Sequence, residues 1–259
     1  MTFEGRSIAV TLGGRTILSD VDFTARAGGI TAIVGPNGSG KTTLLRALCA
    51  ELPHGGRMRI NGRDVTAHSA SELASIRAVL PQSVTLAFPF AVSEIVQLGQ
   101  VARAATPRAD LPGRVLAAVG LVGYGARMYQ DLSGGEQQRV QLARVLLQVW
   151  EPVVDGAPRW LLLDEPVASL DIGHQLMVMR LAQDYGARGG GVIAVMHDLN
   201  LTAMFASHVV LMRRGRVAAA GAVPRVFTDA TLSAAYGPAL RVNSAPPDGT
   251  HFVLPHSAA

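Results

Sequence analysis

Apolar residues in this chain gather in short runs separated by turn residues, and the period of the runs changes along the sequence. Near the start, Ile8-Ala9-Val10 and Ile17-Leu18 flank Gly13-Gly14, a pattern that predicts short strands joined by a hairpin-like turn. Ile30-Thr31-Ala32-Ile33-Val34 is continuous and β-branched, as a buried strand is. A glycine loop follows, then Thr43-Leu44-Leu45-Arg46-Ala47-Leu48 with a helical pattern. Met58-Arg59-Ile60 ahead of Asn61-Gly62 predicts a further strand and turn, and Ala78-Val79-Leu80-Pro81 is strand-like.

Residues 83–150 change character. Val115, Leu116, Val119 and Val122 recur at helical spacing, as do Val140, Ala143, Leu146 and Leu147. A polar stretch, 100–114, interrupts them with Pro107 and Pro112. The segment reads as a mainly helical insert. Strand character returns at Trp160-Leu161-Leu162-Leu163 and Val192-Ile193-Ala194-Val195, with a helix near 173–187 between them. Val209-Val210-Leu211 and Arg216-Val217-Ala218 form a final pair through Arg214-Gly215. Strands alternating with helices predict an α/β fold on a parallel sheet with right-handed crossovers. The tail after Arg241, with Pro246-Pro247, is loop-like, and neither repeats nor low-complexity tracts stand out.

Composition narrows the class. The 259 residues suffice for one large α/β domain or two small ones. With 49% hydrophobic and 16% charged residues the chain is globular rather than disordered. The net charge of +4 is spread over single Arg residues, which gives a basic surface but no arm for nucleic acid. The lone Cys49 forms no internal disulfide and fits a reducing compartment. Met1-Thr2-Phe3-Glu4-Gly5-Arg6 lacks the pattern of a signal peptide, and no apolar run reaches the ~18 residues of a membrane helix. The expectation is a soluble protein that other chains bring to any membrane it serves.

The chemistry-bearing residues follow. Gly35-Pro36-Asn37-Gly38-Ser39-Gly40-Lys41-Thr42 fits G-x-x-x-x-G-K-[ST] between a strand and a helix. Glycines there turn backbone N–H groups onto phosphate oxygens, and the helix N-terminus adds partial positive charge. Lys41 would reach the β- and γ-phosphates and Thr42 would offer its hydroxyl to Mg²⁺. Leu161-Leu162-Leu163-Asp164-Glu165 brings two acids to the carboxyl end of a buried strand, where ligands sit in open α/β sheets. Asp164 would hold Mg²⁺ through water and Glu165 would orient or deprotonate the attacking water, unless the pair merely caps the next helix. His197 ends another apolar strand, placed for a γ-phosphate contact or, with Asp198, for a helix cap. Gln82 is either a ligand to Mg²⁺ or the attacking water, or a polar surface residue. Ser133-Gly134-Gly135, opening a helix, is either a second anion-binding N-terminus or a Ser cap with a flexible glycine pair. Two phosphate-binding devices in one chain suit a symmetric dimer in which each copy completes the other's site. The remaining histidines, 54, 68, 174, 208, 251 and 256, are scattered and read as surface or packing residues.

Taken together these motifs resemble the ABC ATPase family over nearly the whole chain. The order is that of Walker A at 35–42 (with Thr43), the Q-loop Gln82, the signature Leu132-Ser133-Gly134-Gly135-Glu136, Walker B at 160–165, the D-loop Ser169-Leu170-Asp171 and the switch His197. The resemblance implies a RecA-like P-loop core at about 1–82 and 157–225, including a small antiparallel β subdomain. It also implies a helical signature subdomain at about 83–150 and a tail at 241–259, all in one ATP-binding domain. ATP with Mg²⁺ would lie between Walker A of one chain and the signature of a second, with Asp171 at the same interface. The implied setting is a homodimer on the cytoplasmic face of a bacterial inner membrane, peripheral to two transmembrane permease subunits fed by a periplasmic substrate-binding protein. No nucleic-acid partner is implied.

A narrower resemblance points to substrate. Phe88-Pro89-Phe90-Ala91-Val92-Ser93-Glu94-Ile95-Val96 resembles the importers of haem, iron-siderophores and cobalamin. The run 137–146, the extra stretch 148–159 and 197–201 are similar to the haem group. The siderophore and cobalamin importers remain the alternative, and a non-transport ABC ATPase is remoter, since this chain shows one cassette and no sustained heptads. In one place the chain departs from the family: Leu12 stands where an aromatic residue usually stacks on adenine. Phe88 and Phe90 either receive a helix of the membrane subunit or pack within the insert.

Overall fold

The computed structural model describes residues 1–255 except 85, 87, 102–107, 238, 246–247 and 252. Pro107, Pro246, Pro247 and His256 therefore lie outside the described residues. The chain opens with β1 (Thr2–Leu12) and β2 (Arg15–Arg26), a long hairpin in place of the short strands expected. Gly13 and Gly14 both take positive φ, 54° and 75°, the backbone that a tight two-residue hairpin turn demands and that L side chains resist. Then come β3 (Gly29–Val34), α1 (Lys41–Leu48), β4 (Gly55–Ile60), β5 (Arg63–Asp64), α2 (Ala70–Ile76) and β6 (Arg77–Leu80). The helical segment holds α3 (Val92–Val101), α4 (Leu111–Ala118) and α5 (Gly134–Gln148). A two-strand hairpin, β7 (Val153–Val154) with β8 (Ala157–Pro158), precedes β9 (Trp160–Asp164). The chain continues through α6 (Ile172–Ala187), β10 (Gly191–Val195), α7 (Leu199–Phe205), β11 (His208–Arg213), β12 (Arg216–Gly221), α8 (Val223–Val226) and α9 (Asp229–Tyr236).

Two sheets carry the architecture. One has six strands in the order β12-β11-β3-β10-β9-β6, parallel throughout except for β12. The other has four antiparallel strands, β2-β1-β4-β5. The α/β fold with a parallel sheet is thus as the alternation of patterns predicts. Buried strands alternate their side chains between two apolar clusters. Leu161 and Leu163 of β9, Val192 and Ala194 of β10, and Val209 and Leu211 of β11 face the helices α3 to α6. Leu162, Ile193, Val195, Val210 and Met212 face α1 and the antiparallel sheet. Each fully buried Leu, Ile or Val stabilises the fold by roughly 1.5–3 kcal/mol, so the central strands are the firmest part of the molecule. Trp160 stands in the second cluster, edge-on to Phe3 with ring centroids 5.6 Å apart, its indole N–H donating to Asn61 Oδ1 at 3.0 Å.

Two expectations in the helical segment change. Pro112 sits in the first turn of α4 rather than interrupting a polar stretch, because the first helical N–H groups have no intrahelical acceptor to lose. The helix also stops at Ala118: Gly120 turns the chain at positive φ, and Val122, expected on the same apolar face, is 75% exposed. Cys49 caps α1, buried, its thiol pushed up to about 12 chiefly by burial. Among the described residues no helix is long and apolar enough to cross a membrane.

Candidate nucleotide site

The site lies at the carboxyl ends of β3, β9 and β10, where the loop 35–40 leads into α1. The loop is held from outside: the N–H of Gly215 donates to the carbonyl of Ser39 at 3.0 Å, and Ser39 N–H donates to Pro36 O at 3.2 Å. Gly35 takes φ 148°, and a β-carbon there would run into the carbonyl oxygen of Met212. A glycine at this point lets the loop turn directly against β11.

Lys41 Nζ donates to the carbonyls of Gly35 at 2.9 Å and Pro36 at 3.1 Å, which arches the side chain over the loop. Burial lowers its pKa, opposed by the nearby carboxylates of Glu165 and Asp164. Thr42 Oγ1 donates to Asp164 Oδ1 at 3.2 Å, a contact between residues 122 apart made by the adjacency of α1 and β9. Asp164 is buried, and that burial raises its carboxyl pKa, partly offset by the Thr42 hydroxyl.

Glu165 follows with a left-handed backbone, φ 51°, which turns the chain as it leaves the sheet. Its carboxylate accepts from Gln82 Nε2 at 2.9 Å and meets His197 Nε2 at 2.5 Å. Asp198, rather than His197, caps α7, accepting from the N–H groups of Asn200 and Leu201. The capping reading of the His-Asp pair thus falls to Asp198, while His197 lies against the Glu165 carboxylate. Lys41, Thr42, Thr43, Asn37, Gly38 and Gly40 join Gln82, Glu165 and His197 around one open cleft of about 420 Å³, within the size range of ligand sites.

Ser133, Gly134, Gly135 and Asp171 are not among the walls of that cleft. Ser133 caps α5 in a reciprocal box with Glu136, whose carboxyl the Ser133 hydroxyl holds at a pKa of about 2. Asp171 caps α6 and its carboxylate meets His174 Nδ1 at 2.7 Å. Leu12 ends β1, 38% exposed. Phe88 and Phe90 part company: Phe88 is 72% exposed, while Phe90 packs against the helical cluster. One contact had no signal in the sequence: Gln138 Nε2, on α5, donates to the carbonyl of Glu165 at 3.1 Å.

The donor set fits Mg²⁺. Asp164 and Thr42 offer hard oxygens side by side, and no group of three or more His, Cys, Asp or Glu able to cage a metal exists among the described residues. A cation held by few side chains that takes its other ligands from water and phosphate is the habit of Mg²⁺. The glycine loop, the helix N-terminus of α1 and Lys41 likewise fit a nucleotide triphosphate.

Comparison with known proteins gives the family. The profile of the ABC transporter family matches residues 18–168. The Hemin import ATP-binding protein HmuV of Jannaschia sp. (strain CCS1) is 60% identical over 97% of this chain and 93% of its own length. That of Roseobacter denitrificans is 57% identical over 100% and 99%. Among solved structures, the ATP binding subunit of an ABC transporter superposes with a TM-score of 0.77 at 21% identity, covering 87% of this chain and 92% of its own. An inward-facing putative metal-chelate type ABC transporter gives 0.74 at 22%, covering 91% and 89%. The chain belongs to the ABC transporter family, as one of its ATP-hydrolysing subunits.

Proposed function

We propose that this chain is the ATPase of a bacterial haem importer, working as a homodimer under two membrane-embedded permease subunits on the cytoplasmic face of the inner membrane. A periplasmic substrate-binding protein would deliver haem to those permeases. The observation that carries the substrate is full-length identity of up to 60% to proteins named for hemin import. The observation that carries the motor is the convergence of Lys41, Thr42, Glu165 and His197 on one cleft. We also propose that the chain is one ATP-binding domain, with the core at about 1–82 and 157–225, the helical signature part at about 83–150 and a tail at 241–259.

The residues then take these roles. Backbone N–H groups of the loop 35–40, other than Pro36, which has none and shapes the turn instead, seat the phosphates of ATP together with Lys41, Thr42 and Thr43: the donors are Gly35, Asn37, Gly38, Ser39 and Gly40. Thr42, Gln82 and Asp164 would hold Mg²⁺, which when bound would neutralise charge on the phosphate oxygens. Glu165 orients and deprotonates the attacking water, and His197 fixes the Glu165 carboxylate while facing the γ-phosphate. Ser133, Gly134 and Gly135 of a second copy complete the site from the far side, with Asp171 at the same seam. Closure on ATP drives the permeases, and hydrolysis releases the pair.

The direct test is ATP-driven haem movement in vesicles holding this chain, its permease and the external binding protein, with Glu165→Gln as control. Uptake lost in the variant supports the reading. Intact ATPase without haem movement moves the substrate to an iron-siderophore or cobalamin.

Phe88, exposed just after Gln82, suits contact with a helix of the permease. In Phe88→Ala we expect ATPase activity within about twofold of the parent and transport down by roughly tenfold, since truncating an exposed interface aromatic costs binding and not folding. Unchanged transport rates would remove Phe88 from the coupling surface.

With Leu12 in place of a stacking ring, base discrimination should be weak. ATP and GTP are expected to compete within about tenfold, because the ~0.5–1.5 kcal/mol of an aromatic stack is missing. A competition assay with a strong preference for ATP would point to another residue as the base platform.

A further inference from the structure

One side chain joins two parts of the machinery inside a single chain. The turn Ser133-Gly134-Gly135 opens α5, and the next turn of that helix carries Gln138. Gln138 Nε2 donates to the carbonyl of Glu165 at 3.1 Å. The two segments also lie close together alongside: a β-carbon added at Gly135 would come within 3.2 Å of Leu170 Cδ2 and 3.4 Å of the carbonyl oxygen of Ser169. The first turns of α5 thus rest on 165–170, the stretch that carries the Glu165 carboxylate.

Glu165 needs such support. Its φ of 51° lies in a region that residues bearing a β-carbon occupy only at a cost, so neighbours must hold it there. Its N–H donates to Val195 O at 3.2 Å, and its carbonyl also accepts from Ala168 N–H at 3.3 Å. Of the partners of that carbonyl, Gln138 comes from a different element, the signature helix. The Gln138 amide has one permitted orientation. Flipping it would set Oε1 against the Glu165 carbonyl, acceptor to acceptor. As it stands, Oε1 is buried with no partner among the described residues, so the side chain bears a desolvation cost to deliver its donor.

We propose that Gln138 is a positioning residue, fixing the backbone of Glu165 to the signature helix, so that where the Ser133 turn sits against a second copy's nucleotide determines how this chain's own carboxylate is aimed. The proposal rests on the roles given above to Glu165 and Ser133. Each copy would thereby sense its partner's nucleotide through α5 and adjust its own water-activating group.

Gln138→Met keeps length and removes the donor. Gln138→Glu keeps shape and turns the donor into an acceptor. Both should lower kcat by about tenfold, the equivalent of one hydrogen bond, with KM for ATP within about twofold. In the Glu165→Gln background, Gln138→Met should add no further loss of turnover and should leave ATP-driven dimer formation, read by gel filtration, intact. Full kcat in both single variants overturns the proposal. So does failure of the double variant to dimerise with ATP, which would place Gln138 in the signature turn or in folding instead. Undiminished turnover in Glu165→Gln alone would remove the carboxylate from the chemistry and the proposal with it. Turnover lost there but kept in the Gln138 variants removes Gln138 only.

Discussion

Glu165→Gln should lower ATP turnover by about 10²- to 10⁴-fold, the range a positioned general base contributes, while ATP binding survives. The substitution exchanges one carboxylate oxygen for an NH₂ group and leaves the volume unchanged. What disappears is the lone-pair base facing the water. The backbone bonds to Val195 and Gln138 persist, because they use the N–H and carbonyl of residue 165. One of the two side-chain contacts, to Gln82 or to His197, survives on the remaining oxygen. ATP should therefore still close the dimer, and without hydrolysis the closed pair should accumulate. Phosphate release in single turnover measures the first effect, and gel filtration with ATP and Mg²⁺ the second. Turnover above about one tenth of the parent would take Glu165 out of the base role.

Lys41→Ala fails at an earlier step. Lys41 is buried against the glycine loop, and in the proposed function its ammonium is the cation this chain would present to the phosphates. Removing a preorganised donor from a partly desolvated site costs about 10²- to 10³-fold, here in kcat/KM and in nucleotide affinity alike. Stability should change little. Burial holds the pKa of Lys41 below its ordinary value, which means the fold itself disfavours the charge, and Ala relieves that cost. Fluorescent-nucleotide titration and a thermal melt separate the two statements. Weak binding with an unchanged melting temperature is the expected pair, and tight binding would overturn the role. The two variants should also differ in assembly: Glu165→Gln is expected to trap a dimer, whereas Lys41→Ala should not form one with ATP.

Much of the site was legible in the sequence because its chemistry is written in contiguous segments. The loop 35–42 and the strand ending in Asp164-Glu165 each announce a phosphate or an acid at the end of a buried run. Their meeting, Thr42 on Asp164, follows from strand order, since β3 and β9 both flank β10. The parallel sheet was legible for a similar reason: buried strands are apolar without alternation. Other features were hidden for physical reasons. Pro112 looks like a breaker until its place in a first helical turn is known. The reach of the helix through Val122 was overestimated because a glycine at positive φ ends it two residues after the last helical position. The strands β7 and β8 are two residues each, too short for a period to show. The contact between Gln138 and Glu165 joins two loci through a backbone carbonyl, and backbone geometry leaves no trace in residue identity.

Cys49 has a practical consequence. It is the sole sulfhydryl of the chain, buried at the end of the Walker helix, and burial pushes its pKa well up, which disfavours the reactive thiolate at neutral pH. Alkylating reagents would thus leave the native protein untouched. A cysteine introduced on the surface, at Phe88 or Val122 for example, would accept a dye or spin label at one site in the otherwise unaltered chain. Slow modification of Cys49 itself would then clock the opening of the nucleotide core.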